Sequence, residues 1–164
     1  MHLGRLYAVA TKSTSRSLSS FFDDLVRCET RLYNAASERL RTEHGIVATQ
    51  FEFLRWFRDN PGSRVSETAT NFAAGIGAIS KGIDRLEARG WVARHPNPDD
   101  RRSSLVSLTR DGDALVADAE ETWAAALDEL VSSTLSGEQV AAAGAALAVL
   151  RRALERERIG LPVG

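Results

Sequence analysis

The chain of 164 residues contains one cysteine, Cys28, so no internal disulfide framework can form. That scarcity fits a reducing, cytoplasmic setting. Lysine is nearly absent: Lys12 and Lys81 are the only two, and arginine carries the rest of the positive charge. No apolar run approaches the length of a bilayer span. Residues 1–12 lack the sustained apolar core and cleavage site of a signal peptide, so they read as part of a short N-terminal arm over 1–14. His2, His44 and His95 share no metal-ligand spacing with one another or with Cys28. The segment Gly75-x-Gly77-x-x-Ser80 grazes a dinucleotide fingerprint, but it follows a helical pattern and lacks the third glycine or alanine. No nucleophile elbow or phosphate loop occurs. An enzymatic reading has no residues to stand on, and no cofactor is implied.

A net charge of −1 does not advertise a nucleic-acid partner, but the distribution is uneven. Lys81, Arg85, Arg89, Arg94, Arg101 and Arg102 crowd one stretch against Asp84, Glu87, Asp99 and Asp100. From Asp111 to Leu150 there are eight acidic residues and no lysine or arginine. A chain that bound nucleic acid with this balance would turn the acidic block away from the phosphates.

Hydrophobic periodicity divides the chain. Leu18, Phe21, Phe22, Leu25, Leu32 and Leu40 define a helix over about 15–41, with Gly45 as its stop. Thr49-Gln50-Phe51-Glu52 has the spacing of a capping box and predicts the next helix start. Phe51, Phe53, Leu54, Trp56 and Phe57 fall on more than one face, which predicts a helix buried on two sides and ended by Pro61-Gly62. A short helix over 64–74 and a turn near Gly75 lead to a helix over 77–89. There Ile76, Ile79, Ile83 and Leu86 form the expected inward stripe. Strands over 91–94 and 104–108 flank a loop, and two long helices follow, the second opened by Ser136-Gly137-Glu138-Gln139. The pattern predicts a mostly α fold with a small β-hairpin.

The outward face of the 77–89 helix presents Gly77, Ala78, Lys81, Asp84, Arg85 and Ala88, with Ser80 at its border. Small residues at 77 and 78 would let its first turn sit deep in a major groove, while Lys81 and Arg85 reach phosphates or a guanine edge. The loop after it, Asn97-Pro98-Asp99-Asp100-Arg101-Arg102, carries two arginines and runs into an alternating strand ending Leu108-Thr109. Asp100 is placed to orient the Arg102 guanidinium, a probe for a narrow electronegative groove such as the DNA minor groove. Arg101 is expected on backbone phosphate.

This loop, with the preceding Asp84-Arg85-Leu86-Glu87-Ala88-Arg89-Gly90-Trp91-Val92, resembles the recognition helix and wing of the MarR family of winged helix-turn-helix transcription regulators, over roughly residues 47–115. The resemblance implies a winged helix-turn-helix lobe at 46–110 between dimerisation helices at 15–45 and 111–164. It implies a homodimer, each copy placing Gly77, Ala78, Ser80, Lys81 and Arg85 in a major groove and Asp100, Arg101 and Arg102 at a minor groove. Such a dimer would read double-stranded DNA at a pseudo-palindromic operator, with half-sites roughly 34–36 Å apart. It implies a repressor released by a small aromatic or phenolic acid, bound between the outer helices and the lobe. Phe22, Arg31, Phe53, Trp56 and Trp123 are the candidate ligand residues. Some members of the family sense oxidants through a cysteine on the first helix, and Cys28 is placed for that alternative, although a lone cysteine is more often a small core side chain. Two further readings are a small-molecule binding protein that has lost DNA binding and a helical interaction module.

Overall fold

The computed structural model describes residues 12–162, as six helices and three short strands. Helix α1 (Lys12–His44) is longer than expected, and Gly45 ends it at φ 67°, a backbone region that a residue without Cβ enters freely. Of the arm expected over 1–14, residues 1–11 lie outside the described residues and 12–14 begin α1. Cys28 is exposed on α1, so it is not the core side chain that a lone cysteine most often is.

Helix α2 (Ala48–Asp59) starts one residue before the expected box. Its free N–H groups are met differently: Val47 N donates to Gln50 Oε1 (3.1 Å) and Ala48 N to Ser37 Oγ on α1 (3.1 Å). Thr49 does not cap; its hydroxyl faces the Tyr33 hydroxyl at 3.2 Å. The two-sided burial holds, for Phe51, Phe53, Leu54 and Phe57 are all inside.

Strand β1 (Ser63–Arg64) follows the Pro61-Gly62 turn and leads into α3 (Val65–Asn71), whose first turn is closed by the Glu67 carboxylate accepting from Arg64 N at 2.7 Å. Helix α4 (Ile76–Ala88) buries Ile79, Ile83 and Leu86. It lies so close to α2 that a Cβ on Gly82 would stand 2.5 Å from the Phe53 ring. Ile76 does not belong to the inward stripe: it is 60% exposed, because Gly75, Gly77 and Ala78 around it are exposed as well and no element covers the first turn.

Strands β2 (Val92–Pro96) and β3 (Ser104–Leu108) pair antiparallel from Val92↔Leu108 to Pro96↔Ser104. The expected hairpin is therefore present, but β1 adds a third strand, giving the order β1-β3-β2 with Ser63↔Val106. Val106 on the central strand is fully buried and ties the sheet to Phe51, Leu54, Phe57, Ile83 and Leu86.

Helix α5 (Arg110–Ser132) is capped by Thr109, whose Oγ1 accepts from Gly112 N (3.1 Å) and donates to the Gly90 carbonyl (2.6 Å). Asp111 and Asp113 in its first turn suit the positive end of the helix dipole. It packs on α1, and Ala36 of α1 and Ala119 and Ala126 of α5 are buried. The ion pair Arg39–Glu129 (2.6 Å) and the chain His44–Thr122–Glu43 (2.8 Å each) fix the register of these helices. Arg58 at the end of α2 pairs with Glu120 on α5, and this hydrogen bond holds the Glu120 carboxyl below its usual range. Helix α6 (Gly137–Arg156) opens with the expected box, Ser136 N donating to Gln139 Oε1 at 2.9 Å, and buries no residue of its own. No described helix is long and apolar enough to cross a membrane.

The start of α5 is the tightest backbone contact: a Cβ on Gly112 would lie 2.0 Å from the Trp91 carbonyl oxygen. Backbone cannot swing aside as a side-chain tip can. Gly112→Ala is expected to lower stability by about 1–3 kcal/mol in urea denaturation. Gly137→Ala, where the added carbon meets nothing within 4 Å, should leave stability unchanged or slightly raised.

Candidate nucleic-acid interface

Helix α4 and the β2–β3 hairpin form one surface, and Arg94 on β2 joins them. Its guanidinium Nη1 lies 2.7 Å from Asp84 Oδ1 and 2.7 Å from Glu87 Oε2, both on α4. Its backbone N–H donates to Glu87 Oε1 at 3.0 Å, so one carboxylate grips strand and side chain together. Nη2 also approaches the Ser80 carbonyl at 3.5 Å. Burial works against the Arg94 charge, but the two carboxylates outweigh it and the guanidinium is held more firmly protonated than usual. Arg89, at the end of α4, lies 5.0 Å over the Trp91 ring. These contacts consume Arg94 and Asp84. Lys81 and Arg85 on α4, and Arg101 and Arg102 on the hairpin tip, are exposed and form no ion pair among the described residues.

The hairpin tip is ordered by side chains acting on backbone. Asn97, only 4% exposed, donates through Nδ2 to Ser103 Oγ (2.8 Å) and accepts through Oδ1 from Asp99 N (3.0 Å). Asp100 Oδ1 accepts from Arg102 N at 3.0 Å. This corrects the expectation for Asp100: its carboxylate fixes the Arg102 backbone, with no ion pair to the guanidinium. A short acidic side chain two residues before an N–H closes an Asx turn more readily than it reaches a long side-chain tip. The Arg102 guanidinium is left free to meet another group.

Sequence reasoning missed Asn97 and the Arg94–Glu87 link. The first had a visible signal, an Asn ahead of Pro98-Asp99, which favours a side-chain-closed turn. The second had none, because residues seven apart on different elements meet only after folding.

The expected interface residues Gly77, Ala78, Lys81, Arg85, Asp100, Arg101 and Arg102 are exposed on this surface, with Ser80 half-buried at its edge. The five candidate ligand residues do not surround one space. Phe53 and Trp56 share Phe72, with ring centroids at 5.0 and 6.3 Å. Trp123 packs instead on Phe51 at 5.2 Å and Tyr33 at 6.2 Å, on the side of α2 toward α1 and α5. Phe22 and Arg31 are exposed on α1. The cause is the buried α2 itself, which stands between the two aromatic groups. Beside Trp123, the Tyr33 hydroxyl donates to Glu52 Oε2 at 3.1 Å, and burial pushes both the phenol and the carboxyl above their ordinary values. A groove of about 1110 Å³ is bounded by Leu25 of α1, Trp56 of α2, Thr70 of α3 and Leu147, Leu150 and Arg151 of α6. Of the five candidates only Trp56 lines it.

The MarR family model matches residues 46–104, which span this surface. The multiple antibiotic resistance protein MarR of Salmonella typhimurium is 30% identical over 132 residues, 77% of this chain and 92% of that protein. Among solved structures, a mutant MarR from E. coli complexed with operator DNA superposes with a TM-score of 0.74 at 26% identity, covering 82% of this chain and 95% of that one. The transcriptional repressor CouR bound to a 23-mer DNA duplex gives 0.72 at 26% identity, covering 78% and 89%.

The buried Asn97 bonds are expected to matter for the hairpin tip and little elsewhere. Asn97→Ala should cost about 1–3 kcal/mol through the polar groups it leaves unmet. Hydrogen exchange should speed up at the amides of 99–103 while those of α1 keep their protection.

Proposed function

The chain belongs to the MarR family of transcriptional regulators, and from that membership we propose that it acts as a homodimeric, operator-binding repressor released by a small aromatic or phenolic acid. The carrying observation is the set of four unpaired cations, Lys81, Arg85, Arg101 and Arg102, on a helix and a hairpin locked together by Arg94. The first turn of α4, slim at Gly77 and Ala78, enters a major groove, with Lys81 and Arg85 on phosphates or a guanine edge and Ser80 on phosphate. Arg102 enters the neighbouring minor groove, whose negative potential is strongest where it is narrow. Arg101 takes backbone phosphate, and Asp100 holds the loop in shape. The operator-bound MarR and DNA-bound CouR similarities support this reading.

Dimerisation through residues of about 15–45 and 111–162 is supported by what one chain leaves uncovered. Leu18, Phe21 and Phe22 on α1 and Val140 and Val149 on α6 are exposed, whereas stable dimers bury such apolar surface. The effector fits the groove walled by Trp56 and α6, with the exposed Arg158 at its rim available to a carboxylate. Binding there would alter how α6 sits over the lobe and so the spacing of the two reading heads.

Two measurements test the proposal. Arg102→Ala should weaken operator binding by about 1–3 kcal/mol with an unchanged melting temperature, and the salt dependence of binding should become shallower. An affinity equal to the parent's would reject the wing assignment. In sedimentation at micromolar concentration the protein should run as a dimer and Val149→Glu as a monomer; a monomeric parent would remove the two-half-site model.

A further inference from the structure

We propose that the cleft between α2 and the flank of α4 seats one backbone phosphate of the bound DNA, held jointly by the Arg85 guanidinium and the Gln50 side-chain amide. The inference rests on the reading of α4 as the helix that enters the major groove. It brings α2 into the interface and assigns Arg85 to a phosphate instead of a base edge. The cleft encloses about 270 Å³ and is lined by Val47, Thr49, Gln50, Phe53, Gly82 and Arg85. Among the described residues no carboxylate lines it, and Arg85 is its one charged group.

Two side chains from different elements reach this cleft with donors unspent. Gln50 is half-buried, and its Oε1 accepts from Val47 N at 3.1 Å. That bond fixes the amide, and its Nε2, with two hydrogens, donates to no group among the described residues. Arg85 is exposed and forms no ion pair among them. With the amide oxygen occupied, the pair offers donors only, which selects an anionic acceptor. The placement of the cleft says which anion. Gly82, against the Phe53 ring, and Arg85 lie on the flank of α4 toward α2, whereas Asp84 and Glu87 turn to Arg94 on the other flank. A helix in the major groove runs between two phosphate strands. With the hairpin on one side of α4, the α2 side meets the opposite strand. Gln50 stands off the reading helix, so that strand lies within its range and the base edges do not.

The test uses a duplex enriched by the full-length protein from a randomised pool, with each phosphate replaced in turn by an uncharged methylphosphonate. Affinities are read by fluorescence anisotropy at low salt, where the remaining phosphate contacts keep every variant bound. The parent should lose affinity at several phosphates, by about tenfold at the one in the cleft, the worth of hydrogen bonds to a charged acceptor. Arg85→Ala should lose the penalty at one phosphate per half-site. Gln50→Glu keeps an acceptor for Val47 N, so its melting temperature should not fall, but its carboxylate faces the anion where an amide donor stood. It should bind the parent duplex more weakly and lose the penalty at the same phosphate as Arg85→Ala. If the two variants lose penalties at different phosphates, or Gln50→Glu keeps every penalty of the parent, the assignment is overturned while the DNA-binding reading stands. If the parent enriches no duplex and shows no salt-sensitive binding, the DNA-binding reading itself falls and this inference with it.

Discussion

The Arg94 guanidinium decides whether helix and hairpin act as one body. Beyond the two residues of β1 the hairpin is a two-stranded ribbon, marginal alone, and the Asn97 and Asp100 side chains brace its tip. Glu87 accepts from both the backbone and the side chain of Arg94, and Asp84 adds a second carboxylate to the same nitrogen. These bonds set the angle between α4 and β2, and thereby the distance between Lys81 and Arg85 on one side and Arg101 and Arg102 on the other. The guanidinium also offsets part of the negative charge that Asp84 and Glu87 carry beside Lys81 and Arg85. For the proposed DNA binding, rigid spacing of cations matters because each phosphate contact would fix register only if the next fell in place.

Beneath that surface the lobe is a well-filled core, and outside it the outer helices are a frame. Phe51, Leu54, Phe57, Ile83, Leu86 and Val106 meet around α2 and leave little space. The start of α5 lies against the hairpin base, where the Gly112 backbone meets the Trp91 carbonyl and Thr109 N donates to that oxygen at 3.0 Å. Arg58–Glu120 and Arg39–Glu129 couple the same helix to α2 and α1. Of the acidic residues on α5, Glu129 and Glu120 thus pair with Arg39 and Arg58, and Asp111 and Asp113 sit at the positive end of the helix, away from the four free cations in the sequence.

The legible parts of the fold were those written in short periods. The stripe Ile79, Ile83, Leu86, the stops at Gly45 and Gly62, and the Ser136 box are local, and local chemistry carried them. Strand β1 was not legible, since two residues give no alternation and its partner β3 lies forty residues on. Ile76 matched the inward stripe by spacing and faces water instead, because periodicity gives direction around a helix but not whether anything covers that turn. The free cations of the candidate site were readable as an outward face. The geometry that ties them together was not, because Arg94 looked like one more basic residue. The aromatic ligand candidates failed as a set for the same reason, with composition naming Trp56 and Trp123 while the buried α2 separates them.

Whether Arg94 makes α4 and the hairpin a single body is decided by a double-mutant cycle on operator affinity. Arg94→Met, Arg102→Ala and the double variant would be compared by anisotropy, with circular dichroism confirming that each is folded. If Arg94 positions the hairpin, Arg102→Ala should cost much less in the Arg94→Met background, with a coupling of about 1 kcal/mol or more. Effects that add within about 0.3–0.5 kcal/mol would mean that helix and hairpin bind independently and that Arg94 does not couple them.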